Sequence, residues 1–259
     1  LLSGNASPLS ARSLKKVGEN MQSAIATSHG QKVLRRVVLF GTPLLLCILE
    51  LGHPLLDHMN PIRMLAPIVT WWIILHLLLV PLFALMGWTL FLLLQGIQNS
   101  AATLCRYATV VYISFTIGYD TLVGLNSGIL ASNALVLPNA QQAIVQDAMH
   151  QLYTSPAIIL CYYILFGSGI VAICSAALAL ARAGVPRLPV FVLLGTILSA
   201  YSHATPFGPL GSACFFLAAL WIELVWRKMS QEENDAMADH LASQKEGELL
   251  VNLSSGGEQ

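Results

Sequence analysis

Glu50, His53, His76, Asp120 and His203 stand in stretches otherwise almost empty of ionisable side chains. Histidine together with carboxylate is a donor set suited to Zn2+ or another transition metal, and without a metal the same groups can take up and pass a proton. Asp120 makes the strongest individual claim, because an aspartate at the centre of a bilayer-spanning helix costs roughly 2.5–3.5 kcal/mol on an insertion scale and so needs a reason. Thr116, Asp120, Gly124 and Ser127 recur at helical spacing, and their shared face should point into a helix bundle. Two roles remain open for Asp120. It can clamp the fold as a protonated acid or through a bond to Tyr119, Asn126 or a neighbouring helix, or it can serve as proton acceptor, cation site or metal ligand.

The histidines gather in the same region of the chain's topology. Glu50 and His53 share a face if a helix continues through them, although Pro54 argues that it ends there. Glu50, His53, His76, Asp120 and His203 therefore form a candidate pocket with Tyr119 and Thr116, and His53, His76, Asp120 and His203 form a candidate divalent-metal set. No HExxH motif supports that set, and its convergence requires separate helices to meet. A haem would need facing axial histidines, for which His76 and His203 are the one cross-helix pair. Ser202 beside His203 lacks the GxSxG setting of a serine nucleophile. Cys47, Cys105, Cys161, Cys174 and Cys214 lie within or at the edge of apolar runs without CxxC spacing, which reads as packed free thiols.

Composition identifies the elements that must position these groups. Apolar residues make up 56% of the 259-residue chain and charged residues 10%, too few charges to build a water-soluble surface. Net charge is zero and no basic stripe with interleaved aromatics occurs, so nucleic acid is excluded as a partner and the lipid bilayer is expected. Most charges precede Val37 or follow Trp226. This predicts a basic cytoplasmic segment over 1–36, a membrane domain over 37–228 and a polar cytoplasmic tail over 229–259. The first 36 residues contain no early apolar run of the kind a cleavable signal needs, so targeting is expected from the first helix.

A span needs about 20 mostly apolar residues. Runs over 37–56, 66–98, 103–130, 156–181, 189–201 and 209–226 predict an all-α polytopic bundle of about six transmembrane helices. The run 66–98 is long enough to tilt, to kink near Pro81 or to extend beyond the bilayer. With both termini cytoplasmic, Arg12, Lys15, Lys16, Lys32, Arg35, Arg36, Arg106, Arg182, Arg187, Arg227, Lys228 and Lys245 fall inside and only Arg63 outside. Asp120 and most histidines then belong to the outer half. In the outer loop 131–155, Ile144, Val145, Ala148, Met149 and Leu152 recur at helical spacing, which predicts an amphipathic interfacial helix. Gly167, Gly169, Ala172, Ala176 and Ala179 read as a close-packing face, and Trp71, Trp72, Tyr153, Tyr201, Trp221 and Trp226 as an aromatic belt.

The segment Ser202-His203-Ala204-Thr205-Pro206-Phe207-Gly208-Pro209, taken with Gly118-Tyr119-Asp120, resembles stretches of uncharacterised bacterial multi-pass membrane proteins. The resemblance implies a bacterial cell-membrane setting and no activity. Three function classes follow from the residues. One is a transporter-like protein with an extracytoplasmic polar pocket for a cation, a proton or a small amphipathic molecule. Another is a metal-dependent membrane-embedded enzyme acting on a lipid-like substrate. The third is a non-catalytic assembly or sensor subunit, which would associate with itself or with a membrane partner.

Overall fold

The computed structural model describes residues 29–55 and 59–226. The tail expected at 229–259 and most of the basic segment expected at 1–36 lie outside the described residues. Every regular element described is helical. In chain order these are α1 (His29–Leu51), α2 (Pro61–Leu93), α3 (Ser100–Ala134), α4 (Asn139–Thr154), α5 (Pro156–Arg182), α6 (Arg187–Tyr201) and α7 (Phe207–Trp226). Four of them, α2, α3, α5 and α7, are long and apolar enough to cross a membrane, and α6 is a shorter apolar helix interrupted at Gly195 and Thr196.

Local chemistry sets the ends. Asn99 caps α3 by accepting from the Ala102 amide at 2.9 Å, and Ser155 caps α5 by accepting from Ile158 at 3.3 Å, with Pro156 in the first turn. α2 and α5 are each followed by a glycine with positive φ, Gly96 at 87° and Gly184 at 84°, a conformation that terminates a helix without Cβ strain. α2 opens on Pro61 and runs through Pro81 as a single helix of 33 residues, about 50 Å long at about 1.5 Å per residue.

Packing follows residue size. α3 makes its most extensive contact with α5, whose Gly169, Ala172, Ala176 and Ala179 are all buried, while Gly167 faces open space. α1 lies mainly against α7 and α2. The main core gathers Leu39, Leu79, Leu93, Leu180, Leu193 and Phe215, and a smaller one gathers Trp72, Met149, Tyr153 and Ile158. Elsewhere the helices present large apolar side chains outward, among them Leu34, Val37, Ile48, Trp88, Tyr107 and Phe191. A surface of this kind is stable against hydrocarbon and costly against water. On α4, Met149 and Tyr153 are buried, Val145 and Leu152 partly so, and Ile144 is exposed.

One end of the bundle is tied by arginines. Arg35 of α1 pairs with Glu223 of α7 and donates to Gln95 Oε1 and to the Leu92 carbonyl, both at 3.1 Å. Arg106 donates to the Leu94 and Ile97 carbonyls at 3.3 and 3.0 Å, and Arg182 reaches Ser100 at 3.4 Å. The Arg35 and Glu223 side chains are only 17% and 6% exposed, and Arg36 stands 4.0 Å from the same Glu223 oxygen. Arg35→Ala is expected to destabilise the protein by about 1–3 kcal/mol, with a clear fall in its detergent thermal midpoint. An unchanged midpoint would refute the lock.

Candidate metal centre

Three separate elements deliver the candidate histidines to the bundle end opposite Arg35. α1 stops at Leu51, and the Gly52 and His53 amides donate back to the Leu49 and Glu50 carbonyls at 3.1 Å. Pro54 follows and cannot continue the helix. The last carbonyls of a helix are short of internal donors, and here Thr205 adds a second donor to Glu50 and reaches Leu51 at 3.3 Å. Its hydroxyl donates to the Glu50 carbonyl at 2.8 Å, and its amide donates to the His53 carbonyl at 3.3 Å. The turn between α6 and α7 is thereby stitched to the end of α1, with His203 brought against His53. A Cβ on Gly208 would run into the backbone of His203, so glycine permits the close return of the chain.

His76 projects from the middle of α2 against α3. Gly124 faces it directly, and a Cβ there would overlap the imidazole. Around Gly124 the helix widens into a π segment, Asp120–Leu125, and the Gly124 carbonyl accepts from Trp72 Nε1 at 2.7 Å. Such π segments occur frequently at functional sites. Asp120 opens this one and is 2% exposed. Gly124→Ala should push His76 out of place, and Co2+ held by these histidines would then bind about 10–100-fold more weakly, the cost usual for losing support behind a metal ligand. A titration of metal-free protein checks this, and an unchanged affinity would show that His76 does not depend on Gly124.

The ring nitrogens converge. His53 Nε2 lies 3.3 Å from His76 Nε2 and 3.1 Å from His203 Nε2, and the three histidines place their ligand atoms within 4.8 Å of one another. His53 Nδ1 is 2.8 Å from the Pro54 carbonyl and His76 Nδ1 is 2.8 Å from the Trp72 carbonyl. A carbonyl only accepts, so in the neutral rings the proton sits on Nδ1 and Nε2 carries a bare lone pair. Two bare lone pairs at 3.3 Å repel. A proton on His203 Nε2 would satisfy His53 and still leave His53 and His76 facing each other unmediated. A tetrahedral metal with bonds of about 2.0–2.1 Å to nitrogen holds its ligand atoms about 3.3 Å apart; the two His53 pairs have this spacing, and the third pair, His76 and His203, lies within 4.8 Å.

Asp120 flanks this triad. Its Oδ1 is 3.7 Å from His76 Nε2 and 3.6 Å from His203 Nε2, and neither carboxylate oxygen has a hydrogen-bond partner. Of the four residues proposed as ligands from sequence, three histidines form the mutually close set and Asp120 stands beside it. Glu50 is buried and directed elsewhere, accepting from Ser212 Oγ at 2.8 Å. Thr116 and Tyr119 line the same cavity as the histidines and Asp120, whereas Glu50 does not.

That cavity has a volume of about 680 Å3, and its walls include Tyr112, Ile159, Tyr162, Tyr163, Ser199 and Tyr201. Tyr112, absent from the residues singled out in the sequence, extends the Thr116 and Asp120 face one turn back along α3, a periodicity that could have found it. Trp72 and Tyr153 were expected in an aromatic belt. Both are instead buried against the site, where Trp72 holds the π segment and Tyr153 donates to Ser127 at 2.6 Å.

Comparison of the chain with protein-family models, curated proteins and solved structures gives no match.

Proposed function

We propose that this chain is a multi-pass membrane protein whose His53, His76 and His203 hold a zinc-like divalent metal, and that it uses this centre to hydrolyse a lipid-like substrate. The observation that carries the reading is the meeting of three histidine Nε2 atoms, in two of whose rings, His53 and His76, Nδ1 is committed to a backbone carbonyl. Three imidazoles leave a tetrahedral ion one open position, the arrangement of catalytic rather than structural zinc sites. Bound there, the metal would supply a water ionised near neutral pH and would polarise the substrate oxygen.

The remaining work belongs to the chain. Asp120, with both oxygens unsatisfied beside His76 and His203, takes the proton released from the water. The water oxygen bonds to the carbonyl carbon of an ester or amide. The bond to the leaving oxygen or nitrogen breaks with its electron pair, and the proton held by Asp120 passes to that atom, giving an acid and an alcohol or amine.

Six spans, α1, α2, α3, α5, α6 and α7, best fit the chain, with α4 outside them. The end carrying Arg35, Arg106 and Arg182 is then cytoplasmic, in keeping with the bias of basic residues toward that side, and the metal centre faces the extracytoplasmic side of a bacterial inner membrane. Cysteine-accessibility labelling should find Asn139→Cys on the outer face, and labelling from the inside would overturn the orientation.

The unsatisfied Asp120 carboxylate also favours a second reading, transport of a cation or proton through the same cavity. Elemental analysis separates the two. Protein purified in mild detergent without chelator should carry about one zinc per chain, and chelator-stripped protein should recover one site on titration with Zn2+. Absence of stoichiometric uptake would sink the enzyme reading and leave transport or a non-catalytic subunit.

A further inference from the structure

The site's substrate class can be taken further from where its cavity opens, an inference that rests on the hydrolytic reading above. Among the cavity-lining residues, Leu55, Ile159, Tyr163 and Tyr201 are the exposed ones, at 63%, 43%, 63% and 50%, and they mark the mouth. None is charged. A cavity filled from water opens through polar residues, whereas this mouth is continuous with the apolar outer surface of α5, on which Leu160 is also exposed.

Inward from the mouth, rings succeed one another. Tyr201 and Tyr162 line the cavity and both pack on Phe166 behind its wall, at 5.9 and 6.2 Å, and Tyr162 meets Tyr119, also a lining residue, at 6.0 Å, one residue from Asp120. Tyr162 also donates to the Tyr201 carbonyl at 3.1 Å, bridging α5 and the end of α6. Aromatic bodies with phenolic tips suit a molecule whose one end is apolar and whose other end is polar. At about 680 Å3 the cavity falls in the range of about 300–1,000 Å3 that encloses one small ligand. It has room for a polar linkage and part of a single chain, and none for a polymer.

We infer that the substrate is an acyl-chain amphiphile already dissolved in the bilayer, which enters sideways past Ile159, Tyr163 and Tyr201 and presents its ester or amide linkage to the histidines. Its chain occupies the aromatic passage and remains continuous with the hydrocarbon outside.

Trp72 provides a probe, since it lines the cavity and is only 2% exposed. A single-tryptophan form, with Trp71, Trp88, Trp221 and Trp226 replaced by Phe, is reconstituted into nanodiscs of phosphatidylcholine or of its acyl-dibrominated analogue. Bromines entering the cavity are expected to quench Trp72 at least twofold, while aqueous acrylamide quenches it little. Ala200→Phe, which fills the cavity, should largely abolish bromine quenching, and Tyr163→Ala, at an exposed position, should increase it. Quenching by acrylamide alone, by neither agent, or by bromines regardless of both substitutions would overturn lateral entry. A blue-shifted Trp72 emission maximum before quencher is added reports folding of each variant. The measurement is made on chelator-stripped protein, so its outcome stands apart from that of the zinc titration.

Discussion

His203→Ala is expected to abolish stoichiometric zinc, weakening binding by more than about a hundredfold, since loss of a direct ligand must exceed the 10–100-fold cost of losing support behind one. The same result is expected of His53→Ala and His76→Ala, because each histidine supplies one of three mutually close nitrogens. Co2+ substituted for zinc gives a second readout, as its visible bands report tetrahedral coordination by nitrogen. Those bands should be lost in each of the three variants and retained in His150→Ala, whose histidine lies on α4 away from the cavity lining. If all three histidine variants hold Co2+ as tightly as the parent, the centre is not a metal site, and the facing nitrogens need another explanation. Because Thr205 joins His203's turn to the end of α1, Thr205→Val should produce a milder loss than any ligand removal.

Asp120→Asn separates proton transfer from metal holding. The amide keeps the shape of the carboxylate but cannot take a proton from water, so the Co2+ spectrum should persist while hydrolysis of a fluorogenic long-chain ester in mixed micelles falls by about 10²–10⁴-fold, the usual contribution of a positioned general base. Loss of metal from this variant would make Asp120 a fourth ligand and the site closed. Retained turnover would remove Asp120 from the chemistry altogether. Under the transport reading, the same variant should instead abolish zinc-dependent or proton-dependent flux into proteoliposomes while ester turnover is absent from both proteins. The two readings thus differ in which assay responds.

The helical class was legible because it follows from a bulk property. With so few charges, the chain's long apolar runs can satisfy their backbone groups in lipid only by coiling on themselves, and four of the resulting helices have the length and apolarity to cross a membrane. The site was legible in its parts. An ionisable residue in an apolar run is conspicuous wherever it occurs, which singled out His76 and Asp120 without any structure. The role of Glu50 was not legible in the same way, since its sequence spacing to His53 holds only while a helix continues, and α1 ends before His53.

The sequence by itself determined the inventory: histidines and one aspartate embedded in apolar segments, and breaks at Pro54 and around Pro206 where the chain must turn. Tertiary structure alone decided the meeting. His53 and His203 are 150 positions apart, and they approach because the hydroxyl of Thr205 bonds the Glu50 and Leu51 carbonyls at the end of α1. His76 reaches them because Gly124 leaves space and a π segment redirects the backbone at Asp120. Contacts of this range depend on how helix ends and helix faces are satisfied by distant partners, and local periodicity carries no record of that. Committing two Nδ1 protons to carbonyls aims bare nitrogens at one point, which a divalent metal is suited to fill.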